Sequence, residues 1–310
     1  MKIAIANDVA MAAEALRRVI AGTSEHQVIW IARTGLDAVR MCADNRPDLI
    51  LMDLNMPELD GVEATRQIMA ATPCAILVVT GQPQDNVSQV FRALGAGALD
   101  VTATPIMTGK PGGVALRGGE VRHLLAIGAS TGGPLAVSHI LSGWTAPAGT
   151  AIVVVQHIDE NFAGHFARWM GDQLSMPVRG IEEGDALAAG CVQIARTNDH
   201  LTLSARHRLH YVEEPRDYPY RPSVDVFFDS VARHWQGDAT GVLLTGMGRD
   251  GAQGLLSMRG AGKLTIAQDQ ASSAVYGMPR AAADIDAAQH ILSLDQIARV
   301  LRSRPGSKMS

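Results

Sequence analysis

One serine stands where a strand-like segment turns into a helix. Ser130 lies in GASTGGP, directly after the apolar run HLLAI. Glycines permit the sharp turn that such a junction needs. The stretch fits the G-x-S-x-G elbow, in which the serine oxygen is exposed and backbone N–H groups can stabilise an oxyanion. A nucleotide-binding loop is the alternative, but both the G-x-G-x-x-G spacing and the G-K-S/T ending are missing. The pattern favours a nucleophilic serine.

A serine nucleophile needs a base, and the sequence offers ten histidines. His157 ends the run AIVVVQH, so it terminates the next predicted strand and faces the same crevice as Ser130. His139 and His165 fall inside predicted helices, where surface or packing roles are the better interpretation. Position in the fold therefore selects His157 as the base.

Three carboxylates compete to orient that imidazole. Asp250, in GVLLTGMGRDG, follows a strongly apolar strand and a glycine-rich bend. Asp269 ends the run LTIAQD and is equally placed at a strand end. Asp225, in RPSVDVFF, is expected to open a helix, where a carboxylate caps free N–H groups. Spacing alone leaves Asp250 and Asp269 open.

A second polar cluster is expected near the N-terminus. Asn7, Asp8, Asp53 and Thr80 end the first, third and fourth predicted strands, and ligands collect at the carboxyl ends of parallel strands. Two carboxylates with phosphate oxygens and waters suit Mg²⁺, with Asp8 and Asp53 as its ligands and Asn7 as a further candidate. Asp53 would then attack a phosphoryl donor. A single acidic residue at a strand end is usually only a solvated loop position, but this combination is harder to dismiss.

The elements that position these residues form two α/β series. In 1–106, five apolar runs alternate with helical patterns, which predicts a (βα)5, flavodoxin-like parallel sheet. Glycine-rich 107–120 is predicted to be a linker. In 121–305, a second series predicts a Rossmann-like, doubly wound α/β domain. Within it, CVQIA and LTLSARHRLHYV are expected to form a short antiparallel insertion.

Composition excludes several classes of protein. The 310 residues carry 27 basic and 31 acidic side chains, with no basic run that could follow a phosphate backbone. Three separated cysteines predict neither zinc nor disulfides. No stretch has the length of a membrane span. We expect a cytoplasmic protein that binds no nucleic acid and does not insert into membranes.

At its polar cluster, 1–106 resembles the response-regulator receiver family. The resemblance implies that Asp53 accepts phosphate and that Thr80 is the hydroxyl switch residue. Two departures stand out: Asn7–Asp8 occupies the place of the usual acidic pair, and Thr104–Pro105 that of the usual Lys-Pro. Thr104 cannot supply the ammonium that pairs with an aspartyl-phosphate.

The second series resembles the CheB family of chemotaxis protein-glutamate methylesterases through IGASTGGP, VVQHI, RPSVDV, TGMGRDGA and YGMPRAA. The resemblance implies a nucleophile at Ser130, a base at His157 and an orienting carboxylate at Asp250, with Thr131 and the Met247 backbone beside the site. NDVA, TPCAILVVTG and the ending TP further resemble WspF-type members of surface-sensing pathways.

The family resemblance implies hydrolysis of glutamate γ-methyl esters and deamidation of glutamines on the cytoplasmic domain of methyl-accepting chemoreceptors. It also implies control by a CheA-type histidine kinase, Mg²⁺ at the receiver, and no cofactor for the esterase. Two alternatives remain: a non-catalytic adaptor that docks on receptor and kinase, and an esterase for small molecules. The complete set Ser130, His157 and Asp250 argues against the adaptor.

Overall fold

The computed structural model describes residues 1–22, 25–80, 87–103 and 120–303. Contacts within the chain divide it into two compact units, Met1–Thr108 and Gly109–Ser310. Thr104 and all but the last residue of the predicted linker 107–120 lie outside the described residues.

The first unit is a parallel sheet with helices. Its strands are β1 (Lys2–Ala6), β2 (Gln27–Ala32), β3 (Leu49–Met52), β4 (Ala75–Thr80) and β5 (Asp100–Ala103). Its described helices are α1 (Ala10–Ala21), α2 (Gly35–Asp44), α3 (Gly61–Ala71) and α4 (Val87–Gly95). The strand order is β2-β1-β3-β4-β5, with every neighbouring pair parallel. Thr34 and Asp60 cap α2 and α3 by accepting backbone N–H groups of the first turn. The receiver-type fold is confirmed.

The second unit is built on a larger sheet. Its strands are β6 (His123–Ala129), β7 (Thr150–Gln156), β8 (Val178–Gly180), β9 (Val192–Ile194), β12 (Asp238–Leu243), β13 (Leu264–Gln268) and β14 (His290–Leu292), and a separate pair is β10 (His200–Leu203) with β11 (Leu209–Val212). The large sheet is parallel throughout, in the order β14-β13-β12-β6-β7-β9-β8. Strands β6 and β7 are almost entirely buried, as expected of central strands covered on both faces.

Six helices accompany this sheet in the described part of the second unit. They are α5 (Gly133–Leu141), α6 (Glu160–Gln173), α7 (Val224–His234), α8 (Ala252–Gly260), α9 (Met278–Asp284) and α10 (Leu294–Arg302). The core combines the sheet with apolar side chains of α7 and α8, including Phe227, Phe228 and Leu255. The predicted Rossmann-like architecture is confirmed. No helix of the described residues is long and apolar enough to cross a membrane.

The predicted antiparallel insertion is half right. The segment LTLSARHRLHYV forms the antiparallel pair β10 and β11. CVQIA instead contributes β9, which pairs in parallel with both β7 and β8. Its side chains Val192, Gln193 and Ile194 are fully buried, and burial on both faces is the mark of a strand inside a covered parallel sheet. A three-residue strand is too short to show this in its sequence.

Candidate active site

Three adjacent strands of the large sheet bring the predicted site residues together. Ser130 follows β6, His157 follows β7 and Asp250 lies in the loop after β12, and β6 is hydrogen-bonded to both of the other strands. All three strands run in parallel, so these loops emerge at one edge of the sheet. This is the crevice in which doubly wound folds bind ligands.

The backbone around Ser130 is held from several sides. Ser130 N donates to Thr245 O at 3.0 Å, and Ser130 O accepts from Gly133 N at 2.8 Å. Gly132 has φ +79°, and a Cβ there would lie 2.6 Å from the Ala274 side chain. Glycine is therefore required for both conformation and space. The turn fixes Ser130 at the N-terminal side of α5, with 8% of the residue exposed.

His157 forms a direct pair with Asp250. His157 Nε2 lies 2.7 Å from Asp250 Oδ2, and both side chains are only 9% exposed. His157 Nδ1 is buried and has no hydrogen-bond partner in the described part of the chain. No hydrogen bond joins Ser130 Oγ to the imidazole among these residues, but catalytic hydrogen bonds are commonly long before substrate binds. The free Nδ1 is the nitrogen available to accept a proton.

Asp250 is surrounded by donors at the start of α7. Its carboxylate accepts from Ser223 Oγ at 2.7 Å, from Val224 N at 2.7 Å and from Asp225 N at 3.0 Å, in addition to His157. Burial works to raise the pKa of Asp250, but the hydrogen bond and charge of His157, with the Ser223 and Val224 donors, outweigh it and hold the pKa below its usual value. The helix N-terminus also favours the anion. Asp250 therefore stays charged beside the imidazole.

The two competing carboxylates have other partners. Asp225 lies in the first turn of α7, as expected, but its carboxylate accepts from Gly254 N of the neighbouring α8 at 2.7 Å. Burial, with the nearby charge of Asp250, raises the pKa of Asp225 to about 6 against the opposing backbone donors. Asp269 accepts from Ser272 N at 2.9 Å and from Ser272 Oγ at 2.6 Å. Neither carboxylate hydrogen-bonds to His157.

Backbone groups that could bind an oxyanion lie next to Ser130. A Cβ on Gly246 would lie 2.7 Å from the Ser130 Cβ, so the bend that leads to Met247 passes directly beside the serine. Thr131 is 5% exposed, and its carbonyl accepts from Thr245 Oγ1 at 2.9 Å. Thr131 and Met247 thus occupy the surroundings expected for them, and their roles as donors stay predictions.

Gln156 is a site residue that sequence reasoning missed. Its Nε2 donates to Ser130 O at 2.8 Å and to His157 O at 3.0 Å. The residue is 2% exposed, and the absence of a side chain at Gly133 leaves room for it, because a Cβ there would lie 2.1 Å from Gln156 Oε1. One amide therefore links the backbones of the two strand ends. Its only signal in the sequence is a polar residue closing an otherwise apolar strand.

The polar cluster of the first unit forms around Asp53. Asn7 Nδ2 donates to Asp53 Oδ2 at 3.0 Å, while Asn7 Oδ1 accepts from Val9 N at 2.9 Å. Burial raises the pKa of the Asp53 carboxyl, and the charge of Asp8 adds to this, whereas backbone N–H groups oppose it. Thr80 ends β4 and is buried. Asn7 faces Asp53 with its nitrogen, so of the three predicted metal ligands only Asp8 and Asp53 remain candidates for oxygen ligands.

This donor set fits Mg²⁺ in kind. The cation takes one or two carboxylates together with phosphate oxygens and waters, and a cation would relieve the unfavourable burial of the Asp53 charge. The described residues contain no group of three or more His, Cys, Asp or Glu side chains placed around a common metal position. A cation here would therefore depend on phosphate oxygens and water for its remaining ligands.

A serine at the end of a central parallel strand, with a histidine–aspartate pair on the flanking strands, is the arrangement of a serine hydrolase, here preceded by a receiver-type unit. Residues 125–301 match the family described as CheB methylesterase, and residues 3–109 match the response regulator receiver domain. The chain belongs to the CheB methylesterase family.

Similar proteins cover almost the whole chain. A relative from Pseudomonas fluorescens (strain Pf0-1), named protein-glutamate methylesterase/protein-glutamine glutaminase 1, is 51% identical over 96% of this chain and 97% of its own length. A relative from Pseudomonas aeruginosa PAO1, named protein-glutamate methylesterase/protein-glutamine glutaminase 3, is 50% identical over 96% of this chain and 98% of its own. The crystal structure of the Thermotoga maritima CheB methylesterase catalytic domain covers 57% of this chain and 96% of its own, with 30% identity and a TM-score of 0.54.

Proposed function

We propose that this chain hydrolyses glutamate γ-methyl esters on the cytoplasmic domain of methyl-accepting chemoreceptors, releasing methanol, and that it also deamidates receptor glutamines. The observation that carries the proposal is the buried pair between His157 Nε2 and Asp250, on loops next to the one that holds Ser130. The pair leaves His157 Nδ1 without a hydrogen-bond partner among the described residues. The names of the relatives supply the substrate class.

Acylation begins when His157 Nδ1 takes the proton of Ser130 Oγ, which attacks the ester carbonyl carbon. Asp250 is bonded to the opposite nitrogen, so it fixes the tautomer with the proton on Nε2 and stabilises the imidazolium that forms. Backbone N–H groups at Thr131 and Met247 would stabilise the oxyanion of the tetrahedral intermediate. The intermediate collapses when His157 returns the proton to the methoxide, and methanol leaves.

Deacylation repeats these steps with water. His157 removes a proton from the water as it attacks the Ser130 ester, and then returns the proton to Ser130 as the glutamate carboxylate is released. With a glutamine substrate, ammonia leaves instead of methanol in the first half-reaction. Each turnover on a methyl ester or a glutamine adds one negative charge to the receptor.

The first unit would control this activity through Asp53. A CheA-type histidine kinase is the proposed phosphodonor, which together with the receptor domain implies a cytoplasmic location. Asp8 and Asp53 would hold Mg²⁺, which when bound neutralises phosphate charge during transfer. Thr80, at the end of the neighbouring strand β4, is the proposed hydroxyl that responds to the phosphorylated Asp53.

The experiment measures methanol released from receptor membranes carrying radiolabelled methyl esters. Ser130→Ala should abolish release, whereas Ser138→Ala, further along the same helix α5, should retain it. Treatment with acetyl phosphate should stimulate the wild type but not Asp53→Asn. If Ser130→Ala releases methanol at the wild-type rate, the proposed chemistry is wrong. If the wild type releases no methanol from receptors but hydrolyses small esters, the protein is an esterase for small molecules. If the wild type hydrolyses neither receptor esters nor small esters, the adaptor alternative replaces the proposal.

A further inference from the structure

The segment 213–223, between β11 and α7, passes directly over the catalytic pair. Tyr220 in this segment stacks on His157, with ring centroids 4.5 Å apart and an angle of 7° between the ring planes. The segment ends at Ser223, whose Oγ donates to Asp250. One stretch of chain thus contacts the face of the base and one oxygen of its carboxylate partner.

A buried histidine anchors this segment at both ends. His200 on β10 is fully buried. Its Nδ1 accepts from Ser223 N at 3.0 Å, and its Nε2 lies 2.9 Å from Pro215 O. A backbone N–H can only donate and a carbonyl can only accept, so the His200 proton is on Nε2. Arg221 Nη2 adds an ion pair with Asp199 Oδ1 at 3.1 Å. The segment is therefore tied to the antiparallel pair rather than being a free loop.

Tyr220 also lies close to a glycine of the bend that carries Met247. Gly248 has φ +81°, and a Cβ at this position would lie 3.4 Å from the Tyr220 ring. The phenol ring is therefore close to the bend that follows Met247 as well as to the imidazole. A side chain held in this way can shield one face of His157 and limit the rotation of its ring.

We propose that Tyr220 is a positioning residue for His157 in the hydrolysis, an inference that rests on the proposed function. The ring keeps the imidazole oriented between Asp250 and the serine, and it excludes water from one face. When His157 takes the Ser130 proton it becomes a cation over the face of an aromatic ring, an arrangement that stabilises the charge. This stabilisation arises only as the imidazolium forms, so it should affect kcat and leave KM unchanged.

The test compares Tyr220→Phe and Tyr220→Leu in methanol release, with Tyr218→Leu as the control. Tyr218 lies in the same segment but is 41% exposed and meets His200 edge-on. We expect Tyr220→Phe and Tyr218→Leu to stay within about twofold of the wild type. Tyr220→Leu should lose about tenfold in kcat with little change in KM, as the loss of a desolvated cation–π contact predicts.

Several results would overturn this proposal. An unchanged kcat in Tyr220→Leu would show that the stacked ring does not assist His157. A rise in KM alone, or an equal loss in Tyr220→Phe, would assign Tyr220 to substrate contact through its hydroxyl. A fluorophosphonate probe that labels Ser130 separates this proposal from the choice of substrate. Tyr220→Leu should slow labelling about tenfold even if methyl esters prove not to be the substrate, and an unchanged labelling rate would contradict the proposal.

Discussion

Replacement of Gln156 by leucine tests whether the two catalytic strand ends must be joined. The variant loses both donated hydrogen bonds, to Ser130 O and to His157 O. Ser130 O keeps Gly133 N as a donor, so the larger penalty falls on His157 O. Two lost bonds at about 1 kcal/mol each, with one poorly satisfied carbonyl, predict a loss of roughly 2–4 kcal/mol in the free energy of unfolding. A domain of ordinary stability would remain folded.

The activity should fall by more than this stability loss explains. We expect methanol release to drop about tenfold or more, because a small displacement of His157 relative to Ser130 is costly. Gln193→Leu is the matched control: Gln193 is equally buried and its amide also makes two backbone bonds, to Ala188 N at 2.7 Å and Ala186 O at 3.0 Å, away from the site. Urea unfolding and methanol release are measured for both. Equal activities in two equally destabilised variants would refute the reasoning.

Three further changes separate the roles of the carboxylates. Asp250→Asn should lower methanol release on the order of 10³–10⁴-fold, since an amide cannot stabilise the imidazolium; activity within tenfold of the wild type would exclude Asp250 from the mechanism. Burial raises the pKa of Asp225 in the folded protein from its ordinary value of 3.8 to about 6, so its ionisation destabilises the fold as pH rises from about 4 to about 6. In Asp225→Asn, urea unfolding should show a smaller loss of stability across that range, and an unchanged pH profile would contradict this. Asp53→Asn should raise the melting temperature of the first unit more at pH 7 than at pH 4, because burial raises the pKa of Asp53; an equal shift at both pH values would show that its charge is not the cause.

Much of the site could be predicted because strand ends are visible in the sequence. HLLAIGA before Ser130 and AIVVVQ before His157 are largely apolar runs of strand length, and the structure ends β6 at Ala129 and β7 at Gln156, directly before these two residues. Parallel strands place their carboxyl ends at one edge, so proximity of the two residues follows from the fold class alone.

The parts that could not be predicted depend on contacts distant in sequence. Tyr220 lies 63 positions from the ring it stacks on, in a segment without helix or strand periodicity. Contacts with His200, Asp199 and Asp250, all distant in sequence, hold that segment in place. For Asn7, the sequence does not show which atom of the side-chain amide faces Asp53. Its amide can face a neighbour with either oxygen or nitrogen. Val9 N, just before α1, donates to the Asn7 oxygen, so the nitrogen faces Asp53. The sequence shows the residue type, but a backbone donor two residues away decides its orientation.

Strand spacing alone leaves the choice between Asp250 and Asp269 open, and the order of the strands in the sheet gives the reason. Both residues follow apolar strands of similar length, and a sequence does not contain strand order. In the structure β12, which leads to Asp250, is a direct neighbour of β6, whereas β13, which leads to Asp269, lies beyond β12. With neighbouring strands about 4.8 Å apart, β13 is roughly 14 Å from β7 and its histidine. Asp269 is therefore one strand too far to reach His157 directly, and its carboxylate instead closes a local turn with Ser272. Strand order thus decides which carboxylate can assist the base.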